Sequence, residues 1–248
     1  MDLDLLIDLH RYNKRQGPGS SANTLLALQM IGSDISSDWS IADIGCGTGA
    51  QTLDLARLSG AQIKALDLFP EFLQELDSRA AEQGLDSQIQ STQGDMHSLP
   101  FSPESLDLIW SEGAIYNMGF ANGLRNWIRY LKPGAYLAVS EIIWTQADRP
   151  AELTDFWMKE YPEIGTREEK VQVLEENGFA VLNHFCLDRE SWLQNYYEPL
   201  EASIPDFLER NHQAKAAQDV ATMHRSEHEF YLKNQEHYSY GFFIAKKK

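Results

Sequence analysis

Three features of the sequence predict an α/β fold built on a Rossmann-like, doubly wound, mostly parallel seven-stranded sheet. Short β-like apolar runs alternate with longer helical stretches up to Ile143, the signature of crossover helices packed on a sheet. Ile41–Thr52 leads a strand into Gly45, Gly47 and Gly49 and then directly into a helix. Ala135–Ile143 is the most strand-like segment of the chain. Because each unit feeds a strand into a helix and back, the strands run parallel.

The elements follow in order. Residues 1–35 read as two N-terminal helices separated by Arg15-Gln-Gly-Pro-Gly-Ser20, where Gly17-Pro18-Gly19 breaks the first and Ser20 or Ser21 caps the second. Ser40–Ile44 reads as a strand, Ala50–Leu58 as a helix and Gln62–Leu68 as the second strand. Pro70 suits the first turn of a helix over Pro70–Gln83, which Gly84 ends. Strands are expected at Gln88–Thr92 and Leu106–Ser111, then a helix over Gly119–Leu131 stopped by Lys132-Pro133-Gly134. After Ile143 the rhythm changes. Helices are expected at Ala151–Lys159 and Arg167–Asn177, a strand at Ala180–Leu187, a helix-rich stretch over Glu190–Lys233 and an aromatic strand at Tyr238–Ala245. The expectation is a single domain over 1–248: N-terminal helices (1–35), a core (36–143), a helix-rich cap (144–235) and a final strand (236–248).

Composition narrows the partners. The 248 residues carry 21 Lys and Arg against 37 Asp and Glu, a formal charge of −16. An acidic surface repels a phosphate backbone, so nucleic acid and anionic membranes are not expected partners. Lys246-Lys247-Lys248 is the one basic cluster, read as a solvated tail. No stretch approaches the roughly 18 apolar residues of a membrane span, and the N-terminus lacks the basic and apolar regions of a secretory signal. Cys46 and Cys186 have no metal-like or redox-like neighbours, so no metal is expected and a cytoplasmic, reduced setting fits. A homodimer is the commonest assembly for a soluble oligomer.

The chemistry centres on Ile41–Thr52. Glycine permits positive φ and lets backbone lie against a ligand where a Cβ would collide. The helix that follows presents free N–H groups. Gly45-x-Gly47-x-x-Ala50 also fits the looser dinucleotide pattern, so a nicotinamide (NAD)-dependent oxidoreductase stays open. Asp67, ending the second strand, can accept from both hydroxyls of a ribose. Gly94-Asp95-Met96 follows the third strand, where a carboxylate can accept from an adenine amino group. Asp107-Leu-Ile-Trp-Ser-Glu112 and Leu131-Lys-Pro-Gly-Ala-Tyr-Leu-Ala-Val-Ser-Glu141 complete the series.

These four motifs, in this order, resemble the class I S-adenosylmethionine-dependent methyltransferases, especially the ubiquinone/menaquinone-biosynthesis type, over about Ser20–Glu141. Arg15-Gln-Gly-Pro-Gly-Ser20, Ser111-Glu-Gly-Ala-Ile-Tyr-Asn117 and Asp155-Phe-Trp157 also look like a narrower group of bacterial small-molecule methyltransferases. The resemblance implies S-adenosyl-L-methionine as methyl donor and S-adenosyl-L-homocysteine as product. Asp43, Gly45 and Gly47 would face the methionine part, Asp67 the ribose, and Leu68 and Phe69 the base. Asp95 and Met96 would flank adenine, and Ser111 would approach the sulfonium. Gln16 and Gly17 would either close over the methionine end or form a helix-breaking turn.

Methyl transfer is an in-line displacement at carbon, for which alignment is the protein's main task. Glu112, just past the fourth strand, is the best-placed candidate base, with salt-bridging near the donor as its alternative role. Tyr116 is the second catalytic candidate. The segment Ser111-Glu-Gly-Ala lacks the proline pair that the amino-methyltransferases of DNA bases share at this place. The small-molecule acceptor is expected to meet Tyr116, Asn117 and one or more of Trp144, Trp157, Tyr161, Trp192, Tyr196 and Tyr197. Such a pocket would favour an aromatic or cationic group. His224 and His228 share a helix face, read as solvated rather than metal-binding, and His97 as a loop residue. A non-catalytic sensor that binds the donor and transfers nothing is the third possibility.

Overall fold

The computed structural model describes residues 2–32 and 35–248. Met1, Ser33 and Asp34, which fall in the expected N-terminal helical segment, lie outside the described residues. Two helices open the chain, α1 (Leu3–His10) and α2 (Ser21–Ile31). Ser20 is the cap: its Oγ accepts from Asn23 N at 3.1 Å, supplying one of the acceptors that a helix start lacks. The α/β units follow as β1 (Ser40–Ile44), α3 (Ala50–Ser59), β2 (Gln62–Asp67), α4 (Pro70–Glu82), β3 (Ile89–Gln93), β4 (Leu106–Ser111), α5 (Phe120–Trp127) and β5 (Leu131–Trp144). A 3₁₀ turn at Ile115–Met118 leads into α5, and another at Ile128–Tyr130 ends the helix expected to reach Leu131.

Lys132-Pro133-Gly134 is not the interruption the sequence predicted. Leu131 already pairs with Leu106, and the register shifts between Leu106 and Leu108, so β5 carries the Pro-Gly pair in an irregularity. Proline, which has no N–H for the ladder, is tolerated at such a bulge.

Beyond β5 come α6 (Ala151–Glu160), β6 (Gly165–Thr166), α7 (Arg167–Glu176), β7 (Phe179–Cys186), α8 (Arg189–Trp192), α9 (Glu198–Arg210), α10 (Lys215–Asn234) and β8 (Tyr238–Lys247). A π-helical turn, Leu193–Tyr197, joins α8 to α9. The sheet runs β3-β2-β1-β4-β5-β8-β7, the seven expected strands, with the two-residue β6 as an unforeseen eighth beside β5. Pairings are parallel from β3 to β5, whereas β8 lies antiparallel to both β5 and β7.

The basic cluster is not a free tail. Lys246 and Lys247 belong to β8, and Lys247 Nζ donates to Leu131 O at 2.7 Å. Apolar side chains fill both faces of the sheet. Trp110, Leu108 and Phe242 lie on one face, and Ile109, Trp127 and Phe243 on the other, all at most 1% exposed. Among the described residues no helix is long and apolar enough to cross a membrane.

A buried ion pair stands behind the cap. Lys170 Nζ donates to Glu141 Oε1 at 2.9 Å and to Glu163 O at 2.6 Å, and the Tyr161 hydroxyl donates to the same Glu141 oxygen at 2.6 Å. Lys170 and Glu141 are 3% and 0% exposed. Burial pushes the Glu141 carboxyl up, and the Lys170 charge opposes it.

Candidate active site

Doubly wound sheets bind ligands outside the carboxyl ends of their strands, at the point where strand order reverses. Here that point lies between β1 and β4. A cavity of about 650 Å³ opens there, within the roughly 300–1,000 Å³ of small-molecule sites. Gly45 follows β1, Asp67 ends β2, Asp95 follows β3 and Glu112 follows β4, so four strand ends deliver lining residues.

The glycine loop is held from two sides. Gly45 and Cys46 N–H groups donate to Leu66 O at 2.8 and 3.1 Å, and Gly47 N–H donates to Asp67 Oδ2 at 2.8 Å. From above, Gln16 Oε1 accepts from Thr48 N at 2.8 Å while its amide donates to His10 O and Asn13 O. A Cβ on Gly47 would stand 2.3 Å from Gln16 Oε1, and one on Gly45 would stand 2.4 Å from the Ala114 methyl. Both have positive φ, so only glycine lets the backbone form this cradle. Gln16 thus clasps the loop as well as following the helix break, and Gly17 lies beside it in the cavity wall.

Of the thirteen residues given a donor or catalytic role from the sequence, eleven line this cavity: Gln16, Gly17, Gly45, Gly47, Asp67, Leu68, Phe69, Asp95, Met96, Glu112 and Tyr116. Asp67 is only 8% exposed, and its oxygens accept from the Gly47 and Phe69 N–H groups. Each keeps a lone pair for a further donor. Burial raises its pKa, against those backbone hydrogen bonds. Asp95 stands at the rim and takes the His97 N–H and ring nitrogen at 2.8 and 2.7 Å, which hold its carboxyl low.

Asp43 and Ser111 do not line the cavity. Strand alternation turns Asp43 towards α3, where Oδ2 accepts from Thr52 Oγ1 at 2.6 Å. Fully buried, its carboxyl is pushed up to about 7. Its place is to pin α3 to β1, not to face a methionine. Ser111 is 0% exposed and donates to Ile44 O at 2.8 Å, tying β4 to β1.

Glu112 takes the alternative role expected for it, a salt bridge. Oε2 accepts from Arg15 Nη1 at 2.8 Å, and Oε1 accepts from both Thr24 Oγ1 and Trp110 Nε1 at 3.0 Å. Three donors hold this carboxylate, whose side chain is 5% exposed, and one of them is the cation Arg15. Glu112 fastens the N-terminal segment over the cavity. Arg15, quoted within its motif but assigned no role, is the residue this fastening presents: its Nη2 is buried without a partner at the cavity wall.

Of the six aromatics expected to supply an acceptor pocket, only Tyr196 lines the cavity. Trp192 stacks on Tyr231 at 4.6 Å and on Tyr240 at 5.2 Å, and Trp157 packs edge-on to Tyr238. Tyr161 is held by Glu141 and meets Tyr116 edge-on at 6.0 Å. Tyr116 itself lines the cavity from the turn after β4. Its pKa is raised, first by burial and then by Glu227, so it stands there as a neutral phenol.

The histidines differ from expectation too. His224 is 2% exposed and meets His10 edge-on at 6.4 Å, while His228 stacks on Tyr197 at 4.6 Å. Burial lowers both His10 and His224 to about 4, with His224 adding to the shift at His10. Such groups fold neutral, so their contribution to stability is full above pH 6.5 and is lost as pH falls towards 4. Asp43 acts with the opposite sign between about 4 and 7. On going from pH 7.5 to 5 the urea midpoint of His10→Asn is therefore expected to fall less, or rise more, than that of the unsubstituted protein; an equal change would refute the histidine contribution.

The strand order itself departs from a dinucleotide fold, whose usual order is 3-2-1-4-5-6. Here an antiparallel strand is inserted between β5 and β7. Residues 41–134 match the family model described as a methyltransferase domain. Over those residues the chain resembles the class I S-adenosylmethionine-dependent methyltransferases. Methyltransferase GfsG of Streptomyces halstedii is 31% identical over 111 residues, which are 44% of this chain and 40% of that one. The chain spans about half the length of the curated relatives it matches. Among solved structures, YjhP from E. coli superposes with a TM-score of 0.87 at 19% identity, covering 98% of this chain and 99% of that one. A methyltransferase from Geobacter sulfurreducens, in complex with S-adenosyl-L-homocysteine, superposes with a TM-score of 0.85 at 20% identity, covering 99% and 98%. At these identities the superpositions show that this chain shares their fold.

Proposed function

We propose that the protein transfers a methyl group from S-adenosylmethionine to a small-molecule acceptor by in-line displacement. One observation carries the reading: a single cavity joins the glycine cradle and its carboxylates to a second region lined by Tyr116, Asn117, Tyr196 and Met223. The residues fit the donor. The cradle has no room for a Cβ, Asp67 keeps lone pairs for ribose hydroxyls, and the unpartnered Nη2 of Arg15 offers a buried cation to the methionine carboxylate. Leu68, Phe69 and Met96 offer apolar surface to the base, and Asp95 an acceptor for its amino group. When bound, the donor supplies an activated methyl on a sulfonium, so the chain's own residues need only align, enclose and select. Gln16, Arg15 and Glu112 fix the N-terminal segment beside the cavity.

Titration calorimetry tests this. S-adenosylhomocysteine is expected to bind and NAD is not; the reverse would establish the oxidoreductase alternative. Asp67→Asn, which replaces a charged acceptor by a neutral one, is expected to weaken S-adenosylhomocysteine by about tenfold or more. Unchanged affinity would remove Asp67 from the ribose.

A further inference from the structure

The acceptor region holds a carboxylate that neither the glycine motifs nor the family match concerns. Glu227 lies one turn after Met223 on α10, and both line the cavity. Its one hydrogen bond is from the Tyr197 hydroxyl to Oε1 at 3.2 Å. No Lys or Arg among the described residues pairs with it. The single Arg or Lys of the cavity wall, Arg15, is engaged by Glu112 on the other side. Tyr116, Tyr196 and Glu227 line this one cavity together. Glu227 is exposed to solvent, yet the protein around its carboxyl pushes the pKa up. An uncompensated negative charge in a partly desolvated place is stabilised by whatever brings a cation to it.

We infer that this region selects an acceptor carrying a basic nitrogen, whose ammonium or amine pairs with Glu227 in the part of the cavity that Tyr116 and Tyr196 also line. Charge pairing acts on the nitrogen, while the apolar remainder of the molecule lies against Leu3, Leu6 and Ile7 of α1. Where the nitrogen is itself methylated, Glu227 is the group that receives the proton it must lose before its lone pair can attack carbon: the N–C bond forms as the C–S bond breaks, and the sulfur keeps the electron pair. The inference deepens the methyltransferase reading and rests on it.

The experiment uses the full chain saturated with S-adenosylhomocysteine and a panel of matched small molecules, among them phenethylamine and 2-phenylethanol, that differ only in amine against hydroxyl. Calorimetry is expected to show amines of the panel binding at least about tenfold more tightly than their alcohols. In Glu227→Gln the preference is expected to vanish while S-adenosylhomocysteine still binds, which serves as the check on folding. Absence of any amine preference across the panel, or a preference that survives Glu227→Gln, overturns the inference. Failure of S-adenosylhomocysteine to bind the unsubstituted protein overturns the methyltransferase reading instead.

Discussion

Replacing Glu112 by alanine is expected to lower stability by about 3–5 kcal/mol, the usual cost of removing one partner of a buried ion pair, and to weaken S-adenosylhomocysteine binding at the same time. The variant strips Arg15, Thr24 and Trp110 of their common acceptor and frees the segment that Arg15 anchors. Urea unfolding and calorimetry measure the two losses. Glu112→Gln, which keeps an acceptor oxygen, is expected to cost less in both. A general base would behave otherwise: turnover would fall while stability and donor affinity held, and that result would refute the anchoring role. The double variant Arg15→Met, Glu112→Leu separates the terms further. Replacing a buried pair by apolar groups of similar volume is often near neutral for stability, so stability is expected to return while donor affinity stays low.

Lys170→Met is expected to cost a comparable 3–5 kcal/mol or so at pH 8, because Glu141 is left charged with Oε2 already unpartnered. The folded-state pKa of Glu141 is raised even with Lys170 present, and removing the cation raises it further. A raised carboxyl contributes stability that is full below its unfolded pKa and is lost as pH rises through its folded one. The deficit of Lys170→Met is therefore expected to shrink in mild acid, where Glu141 takes up a proton. Adding Glu141→Leu is expected to restore stability at pH 8. A deficit independent of pH would show that Lys170 acts through packing on Phe120 and Tyr161, whose rings it covers at 4.9 and 5.4 Å.

Much of the fold was legible because its signals are local. Pro70 starting α4, Ser20 capping α2 and the glycines after β1 each act within a few residues. The same holds for the cavity residues at strand ends, since a motif just past a parallel strand must lie at the carboxyl edge of the sheet. What failed depended on partners far along the chain. Glu112 resembles a free carboxylate until Arg15, 97 residues away, is placed beside it. Asp43 belongs to the glycine motif, but strand alternation and Thr52 decide that it faces α3. The aromatic density from Trp144 to Tyr197 could not say which rings face a cavity and which face each other. Glu227 sits on an exposed-looking, charged helix whose pattern gives no hint that one turn looks into a cavity. The nearest signal was its spacing of four from Met223, which puts both on one face.

The inserted strand β8 has a consequence for how the molecule is made. Tyr136 pairs with Lys246, and their side chains meet across 110 residues of sequence, so the longest ladder of the sheet forms only after every cap helix has been synthesised. Until then β5, apolar along most of its length, presents an open edge, the state in which strands pair with the wrong chain. Contacts of such sequence separation also slow folding. Refolding yield should therefore be more sensitive to protein concentration than the stability of the finished sheet suggests.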